Sequence, residues 1–447
     1  MELLESILSE IAGYIWGVPL IILLFGTHIY LTIKLKFIQR YIFKAIKISF
    51  SKNKEGAGDI SQFGAMATAL AATIGTGNIV GVSTAIAAGG PGAVLWMWLT
   101  GLFGIATKYS EALLSVKYRI VNKDGSMSGG PMYVIERGMN MKWLAILFAA
   151  FTSVSAFGIG NMVQSNSISH MVNEAFNIPF WITGLILTAI TALVILGGIK
   201  SIAKVCETLV PFMAISYLVG CILLLIIGYS TIPDTLILIV KSAFTGQAAV
   251  GGFLGAGAKE AMRWGIARGL FSNESGLGSA PIVAAAAQTK NPVRQALVSS
   301  TGTFWDTVVV CAFTGVVIVN SQDWHSGLNG AALTKSAFAH LAYAGPILLS
   351  VGLLTFVFST ILGWSYYGEK SAEYLFGNSA VKPYRYIWVV FVFIGSVVSI
   401  DIVWPFADIT NGLMAIPNLI SLLFLHKVLT AETKKYLWEG DIEQSSE

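Results

Sequence analysis

Charged residues are scarce in this sequence. They make up 12% of the 447 residues, whereas apolar residues make up 55%, and the mean hydropathy is +0.71. In soluble domains about one residue in four is charged, so the composition excludes a protein whose main solvent is water. Lipid offers the backbone no hydrogen bonds, and the apolar runs do not alternate as barrel strands do. We therefore predict an all-α integral membrane protein.

The chain also lacks the residue clusters that metal centres and common enzymes need. Its three cysteines, Cys206, Cys221 and Cys311, lie in apolar stretches without a CxxC pair, which indicates buried packing rather than a disulfide framework or a zinc site. HExxH, GxSxG and Walker A motifs are absent, and the five histidines are scattered. A membrane-embedded enzyme is therefore the less favoured alternative, and a self-contained ATP-driven pump is excluded.

Apolar stretches long enough to cross a bilayer recur from one end of the chain to the other. They predict about eleven spanning helices, at 12–34, 62–87, 92–118, 142–168, 179–198, 205–229, 260–288, 296–320, 346–375, 384–404 and 408–428. The acidic first residues lack the positive region of a secretory signal, so we expect the first helix to be retained. The chain is predicted to form a single transmembrane domain.

Basic residues indicate how the helices are oriented. The loop 35–60 and alternate loops after it carry most of them: Lys36, Arg40, Lys44, Lys47, Lys52, Lys54, Lys117, Arg119, Lys123, Lys200, Lys204, Lys290, Arg294, Lys382 and Arg385. Such loops face the cytoplasm, so we expect the N-terminus outside, the C-terminus inside and the protein in the cell membrane. The long outer loops, 230–258 and 321–345, are each expected to hold a short surface helix. We expect the lipid bilayer as partner and no nucleic acid.

The second predicted helix contains the segment Ala71-Ala-Thr-Ile-Gly-Thr-Gly-Asn-Ile-Val-Gly81 in its middle. Gly75 and Gly77 each cost about 1 kcal/mol relative to alanine in a helix interior, and the polar neighbours compete for backbone hydrogen bonds. We predict an unwound turn, whose freed N–H groups would bind a carboxylate and whose freed carbonyls would bind a cation. Close helix packing through small residues is the alternative.

The seventh predicted helix contains a similar segment, Gly269-Leu-Phe-Ser-Asn-Glu-Ser-Gly-Leu-Gly-Ser-Ala-Pro281. It places polar residues near mid-membrane, and its glycines and proline weaken the helix. A polar surface loop is the alternative, although the flanking fragments would then be too short to span.

These two helices open sets of five spans with opposite orientation. We therefore predict an extra helix, 12–34, a first repeat, 62–229, and an inverted second repeat, 260–428. Paired breaks in inverted halves indicate a transport site near the middle of the membrane.

The segment Gly89-Gly-Pro-Gly-Ala-Val-Leu-Trp-Met-Trp-Leu-Thr-Gly-Leu-Phe-Gly104, followed by Ala106-Thr-Lys-Tyr-Ser-Glu111, resembles the signature of the alanine or glycine:cation symporter family, the sodium:alanine symporters. Both predicted breaks share the resemblance, which covers nearly the whole chain. It implies a leucine-transporter-like fold of five plus five inverted helices. It also implies alanine or glycine as substrate and sodium as coupling ion, sometimes with protons.

Carried over position by position, the resemblance implies a substrate site at the two breaks. In the first, the amides of Thr76 and Gly77 would face the substrate carboxylate, and nearby carbonyls would take the amine. In the second, residues 271–273 would supply carbonyls. The predicted substrate-binding residues are Thr73, Gly75, Thr76, Gly77, Asn78, Gln164, Phe271, Ser272, Asn273 and Trp364.

A cation site is predicted from the ninth helix. Phe356, Ser359 and Thr360 recur there at positions i, i+3 and i+4 and share one face. The resemblance places them beside carbonyls of Ala71 and Ile74, and oxygen ligands suit a hard cation such as sodium. These five residues are the predicted metal ligands. Hydroxyls that bond back to their own helix are the alternative.

Further polar residues in the spans are candidates for the pocket wall. On the fourth predicted helix, Phe157, Asn161 and Gln164 recur at positions i, i+4 and i+7, and Trp364 lies one turn beyond Thr360. A buried amide such as that of Gln164 requires a partner, which indicates either a substrate contact or a contact between helices.

Four carboxylates lie within or near the spans: Glu274, Asp306, Glu369 and Asp401. Ionisable groups in a membrane indicate function and need a partner. Asp306, beside two threonines, could serve a cation, and Glu274 could pair with Arg268. For Glu369 and Asp401 a position at the membrane interface is favoured.

The sequence thus predicts a secondary active symporter that imports alanine or glycine with a sodium gradient by alternating access. A proton-coupled amino-acid transporter of the same fold is the alternative. A channel would instead show flux without saturation. The oligomeric state is left open.

Overall fold

The structure is a computed structural model that describes residues 2–51, 56–245 and 257–445. The chain begins with α1, Glu2–Ile15, and α2, Val18–Lys34, followed by a short 3-10 turn, Ile38–Tyr41, and α3, Ile42–Ser49. Gly17 and Pro19 separate α1 from α2 because neither residue favours a helix interior. The predicted helix 12–34 is therefore two helices, and it begins earlier in the chain than the prediction placed it.

The first predicted repeat contains eight helices, all of them in the described ranges: α4, Gln62–Thr73; α5, Val82–Gly89; α6, Ala93–Lys117; α7, Pro131–Met139; α8, Lys142–Phe157; α9, Val163–Phe176; α10, Phe180–Ile195; and α11, Gly198–Ile227. Between α6 and α7, strands β1, Ile120–Val121, and β2, Met127–Ser128, form an antiparallel pair. Wider π-helical turns, Gly77–Gly81 and Gly158–Met162, lead into α5 and α9. Such turns are rare and are frequent at functional sites.

The rest of the described chain is also helical. Its helices are α12, Ile232–Phe244; α13, Ala258–Asn273; α14, Pro281–Ala284; α15, Pro292–Thr303; α16, Ala312–Asn320; α17, Gly330–Ala339; α18, Ala344–Phe376; α19, Val381–Val397; α20, Val403–Phe424; and α21, His426–Thr433. Shorter 3-10 or π-helical segments are Tyr229–Thr231, Phe304–Cys311, Asp323–Ser326, Asn378–Ala380 and Lys434–Trp438.

Within the described ranges, seven helical stretches are long and apolar enough to cross a membrane, and the bent pair Gln62–Thr73 and Gly77–Gly89 makes an eighth. The predicted count of eleven is therefore not confirmed by length and composition. The shortfall has physical causes: α10 has 16 residues, α13 ends at the second break, and α6 carries Lys108 and Glu111, which are buried among other helices. The chain is a multi-pass membrane protein.

The long loops contain helices that the sequence only partly predicts. α12 lies in the first of these long loops, 230–258, whose residues 246–256 lie outside the described residues. α17 lies in the second, but Leu333 and Phe338 are fully buried, so it packs into the bundle and is not a surface helix. Its start is tied to the second half of the first broken helix, because Ser83 Oγ donates to the carbonyl of Gly330 at 2.7 Å.

The core of the bundle lies between the two predicted repeats. α6 packs against α13 and α15, whereas α18 packs against α8 and α11, and α4 contacts both α11 and α18. The three cysteines are buried and free, as predicted. The two segments with helix breaks are thus enclosed by neighbouring helices.

Candidate substrate and cation site

The first break separates α4 from the π-helical turn before α5. α4 ends at Thr73, Ile74 is extended, with φ of −75° and ψ of 98°, and the two half-helices are bent by 53°. Asn78 Oδ1 accepts a hydrogen bond from the N–H of Gly75 at 2.9 Å. The Asn78 side chain thereby replaces the backbone acceptor that the Gly75 N–H would have in a continuous helix. The break lies at the glycines, where the sequence predicts it.

The second break follows α13 and is longer. Glu274 has a φ of 55°, Gly276 of 91° and Gly278 of 85°, so the chain turns through left-handed conformations that favour glycine. Pro281 begins α14, where its missing N–H costs nothing. Pro281 was predicted to disturb the helix below it. In the structure it instead begins a new helical segment.

Glu111 of α6 holds this second break in place. Its Oε1 accepts hydrogen bonds from the N–H groups of Gly276 and Gly278, both at 3.0 Å, and from Asn418 Nδ2 at 2.7 Å. The N–H groups of Gly276 and Gly278 lie outside a helix and have no helical acceptor. The buried Glu111 carboxylate accepts their hydrogen bonds instead. Glu111 was not predicted as a site residue. Its position inside an apolar helix could have identified it, because ionisable residues in membrane helices indicate a functional role.

A central cavity lies between the two breaks. Its volume is about 20 Å³, and its lining residues are Ala72, Thr73, Gly75, Thr76, Gly77, Ile159, Gln164, Phe271, Glu274, Thr360, Trp364 and Asn411. Seven of the predicted substrate residues are among them. Glu274 and Asn411 were not predicted to bind substrate. A cavity of this size holds about one water, so the lining groups must move apart to admit an amino acid.

The other three predicted substrate residues, Asn78, Ser272 and Asn273, do not line the cavity. Asn78 Nδ2 and Ser272 Oγ donate to the carboxylate of Asp306 at 2.7 and 3.0 Å, and Thr307 Oγ1 donates to it at 2.6 Å. Asn273 Oδ1 instead accepts from the backbone N–H of Ser275 at 2.9 Å. Asp306 thus connects the first break to the second, which sequence spacing could not show.

The five predicted cation ligands lie together beside the first break. Ser359 Oγ is 3.0 Å from the carbonyl oxygen of Ala71, and Thr360 Oγ1 is 3.5 Å from that of Ile74. Both hydroxyls also lie within hydrogen-bond distance of the carbonyl of Phe356, at 2.8 and 3.0 Å. The predicted alternative, in which the Ser359 and Thr360 hydroxyls bond back to a carbonyl of their own helix, is therefore observed as well. The five residues offer oxygen atoms, which are the ligands that a hard cation prefers, although Met213 Sδ also lies 3.4 Å from Ser359 Oγ.

The remaining predicted pocket residues divide into two groups. Gln164 lines the cavity, and its Oε1 is buried without a partner among the described residues, so one polar atom is left for a ligand. Phe157 instead packs against Trp388, with ring centroids 5.3 Å apart, and Asn161 Nδ2 donates to the carbonyl of Trp388 at 2.9 Å. These two residues connect helices and do not line the cavity.

The buried carboxylates have partners other than those predicted. Glu274 Oε1 accepts from Trp364 Nε1 at 3.1 Å, whereas Arg268 lies over the ring of Trp264. Glu369 is buried and forms an ion pair with Arg385 at 2.6 Å. Asp401 is exposed between α19 and α20.

Comparisons with known proteins agree with this architecture. The model of the sodium:alanine symporter family matches residues 1–446. The chain is 53% identical to an uncharacterised transporter of Haemophilus influenzae, over 97% of this chain and 96% of that protein. It is 48% identical to the sodium/alanine symporter AgcS of Methanococcus maripaludis, over 96% and 97% of the two chains. It is 37% identical to the probable sodium/glutamine symporter GlnT of Bacillus subtilis, over 97% and 92%.

Solved structures with low sequence identity share the fold. The crystal structure of MhsT in complex with L-phenylalanine matches with a TM-score of 0.60 at 12% identity, over 86% of this chain and 94% of that one. The Eremococcus coleocola manganese transporter matches with a TM-score of 0.53 at 13% identity, over 86% and 81%. The fold is that of the leucine transporter, as predicted, and the protein is a transporter rather than an enzyme. The chain belongs to the sodium:alanine symporter family.

Proposed function

We propose that this protein imports alanine or glycine together with sodium by alternating access. The observation that carries the proposal is the position of the oxygen cluster around Ser359 and Thr360, directly beside the break that lines the central cavity. A cation held there and a substrate held in the cavity would share the same unwound turn. Relatives named as sodium/alanine and sodium/glutamine symporters support this class of substrate and ion.

The first break would bind the substrate carboxylate. The half-helix that begins at Gly77 has, like every helix, N–H groups in its first turn without a partner in the helix, and its dipole favours an anion there. Thr76 and Gly77 line the cavity at this point. A carboxylate at the helix start would therefore be stabilised without a basic side chain.

Glu274 and Gln164 would bind the substrate amine. Both line the central cavity, Glu274 with a buried carboxylate and Gln164 with a buried carbonyl oxygen that lacks a partner among the described residues. Phe271 and Trp364 also line the cavity, and their rings would contact the substrate. A Cβ at position 160 would lie 2.2 Å from Trp364 Cβ, so close packing fixes the tryptophan. The small volume of the cavity, about 20 Å³, favours a small substrate.

The coupling between cation and substrate would run through α4. A cation between Ala71, Ile74 and Thr360 would hold α4 against α18 and fix the break in the form that binds the carboxylate. Since such coupling is reciprocal, bound substrate would strengthen cation binding by the same factor. The two predicted repeats, 62–229 and 260–428, would then move relative to one another, with the N-terminus outside and the C-terminus inside.

Proton coupling is the alternative, and Asp306 is the observation that favours it. Its carboxylate is fully buried and contacts groups of both breaks, Asn78 and Ser272. A proton taken up there would change the hydrogen bonds that join the two breaks. A second cation is the other candidate occupant, because the hydroxyl oxygens of Ser272 and Thr307 lie 3.0 and 2.6 Å from the carboxylate of Asp306, although Cys311 Sγ also lies 3.2 Å from Ser272 Oγ.

The test is uptake of labelled alanine into proteoliposomes with an imposed inward sodium gradient. Potassium and pH gradients of the same size are the controls. We expect saturable, concentrative uptake that requires sodium. Uptake driven by a pH gradient alone would contradict the cation assignment to Ser359 and Thr360 and favour Asp306 as a proton site. Absence of uptake under every gradient would refute the proposed substrate.

A further inference from the structure

The chain after α21 packs back onto the bundle. We call residues 434–445 the C-terminal segment. Most of its residues are exposed, but the side chains of Tyr436 and Ile442 are buried. Asn291 Nδ2, at the start of α15, donates to the backbone carbonyls of Ile442 and Gln444, both at 2.8 Å. The C-terminal segment is therefore bound to the bundle by side-chain burial and by hydrogen bonds to its backbone.

Arg294 of α15 connects the C-terminal segment to the start of α4. Its side chain is only 4% exposed, which is rare for an arginine unless it is paired. It forms an ion pair with Glu443, which also lies 3.6 Å from Lys290. On its other side, Arg294 donates from Nε to Gln62 Oε1 at 3.2 Å and from Nη2 to Ser51 Oγ at 3.0 Å. Gln62 is the first residue of α4. One buried guanidinium therefore joins the C-terminal segment to the first half of the broken helix.

α4 lies between the central cavity and the predicted cytoplasmic side. It begins at Gln62 and ends at Thr73, which lines the cavity. At its start, the hydroxyl of the N-cap residue Ser61 donates to Glu207 Oε1 of α11 at 2.7 Å. Along its length, α4 contacts α11 and α18. A path from the cavity to the cytoplasm along α4 therefore requires that these contacts open.

We propose that the C-terminal segment is a latch that keeps the central cavity closed on the cytoplasmic side, with Glu443 holding Arg294 on Gln62 of α4. Release of the segment would free Arg294 and let the start of α4 move away from α11. The inference rests on the proposed function, because it takes alternating access from it. Since the Glu443 side chain is 46% exposed, salt screens its ion pair, and the latch would weaken as the ionic strength of the cytoplasm rises.

Cys206 can report whether α4 leaves α11. It belongs to α11, is fully buried, and its thiol contacts the side chain of Thr68 on α4. Purified full-length protein is treated with N-ethylmaleimide without sodium or alanine, and the rate of Cys206 modification is measured by mass spectrometry. Cys221, which is also fully buried on α11, reports any general loosening. Because the thiol reacts only while it is uncovered, the rate follows the population of the open form.

The variants remove the latch in two ways. We expect Cys206 to react about fivefold faster in Glu443→Gln than in the wild type, because this change removes the ion pair but keeps the size of the side chain. Glu439→Gln is the matched control, because Glu439 pairs with Lys434 inside the C-terminal segment, at 3.3 Å, and it should react like the wild type. A chain that ends at Gly440 also loses the backbone contacts to α15, so its rate should rise further.

Three outcomes would overturn the inference. The first is an equal Cys206 rate in the wild type and in Glu443→Gln, and the second is an equal rise in Glu439→Gln. The third is a parallel rise at Cys221, which would show that the variant loosens the whole bundle. Uptake of alanine by the wild type tests the proposed function separately, so failure of the latch and failure of the proposed function are distinguishable.

Discussion

The two breaks of the bundle resemble each other in sequence but are built differently. The first is short, none of its residues 74–76 has a positive φ, and its hydrogen bond from Gly75 stays within the same segment. The second passes through three residues of positive φ, and its backbone donors are taken by Glu111 from another helix. Both breaks are rich in glycine and polar residues. The first is stabilised by a hydrogen bond within its own segment, whereas the second is held by Glu111 of another helix.

This difference suggests a division of roles. The first break lies between the oxygen cluster of Ser359 and Thr360 and the central cavity, so it would bind both ligands. The second break presents Phe271 and Glu274 to the cavity while Glu111 holds its turn. A change to the second break should therefore affect folding first, whereas a change to the first break should affect ligand binding more than stability.

The largest effect is expected from Glu111→Leu. It leaves the N–H groups of Gly276 and Gly278 buried without an acceptor, at about 1–3 kcal/mol for each unsatisfied group. We expect a clearly lower unfolding temperature and almost no alanine uptake, measured by size-exclusion chromatography after heating and by proteoliposome uptake. Glu111→Gln keeps an acceptor oxygen and should retain most of the stability. A heat-stable Glu111→Leu protein would contradict the assigned role of Glu111.

Gly75→Ala tests the first break. The new Cβ would lie 2.7 Å from Thr360 Oγ1, and overpacking of this kind costs about 1–3 kcal/mol. A cost of this size at the cation and substrate site should lower uptake at low alanine and sodium by about 5- to 150-fold, and the unfolding temperature should fall less than for Glu111→Leu. The control is Gly81→Ala, whose Cβ meets no atom within 4 Å. Equal uptake by both variants would remove the first break from the binding site.

Ser359→Ala tests whether the first break shares a cation. Loss of one oxygen ligand, at about 1 kcal/mol, should raise the sodium concentration for half-maximal uptake by about fivefold. Thr355→Ala is the matched control, because the Thr355 hydroxyl lies on the same helix and bonds back to the carbonyl of Val351 at 2.8 Å. The dependence of uptake on sodium is the measurement. A shift for Thr355→Ala as large as that for Ser359→Ala would speak against a specific cation site.

The smallest effect is expected from Trp364→Phe. It removes the donor that binds Glu274 Oε1, a bond of about 1 kcal/mol, so the KM for alanine should change by no more than about fivefold. Trp388→Phe is the control, because the indole N–H of Trp388 is buried without a partner among the described residues. Unchanged kinetics for both variants would show that this contact does not position Glu274.

Sequence reasoning located the two breaks because glycine and proline act locally on helix stability. Gly75 and Gly77 weaken a helix wherever it packs, and Gly276 and Gly278 allow left-handed turns that other residues disfavour. The i, i+3, i+4 spacing likewise places Phe356, Ser359 and Thr360 on one face in any helix. Neither signal distinguishes the residues that line the cavity from Asn78 and Ser272, whose side chains donate hydrogen bonds to Asp306 instead.

The sequence by itself determined the membrane environment, the family and the positions at which helices break, because each follows from composition or from contacts within a few residues. Only the tertiary structure decided what holds the breaks and what surrounds them. Glu111 lies 165 positions from Gly276 in the chain, and Trp16 lies 392 positions from Asp408. No local pattern encodes such pairs, since they form only when the packing of distant helices brings their side chains within hydrogen-bond distance.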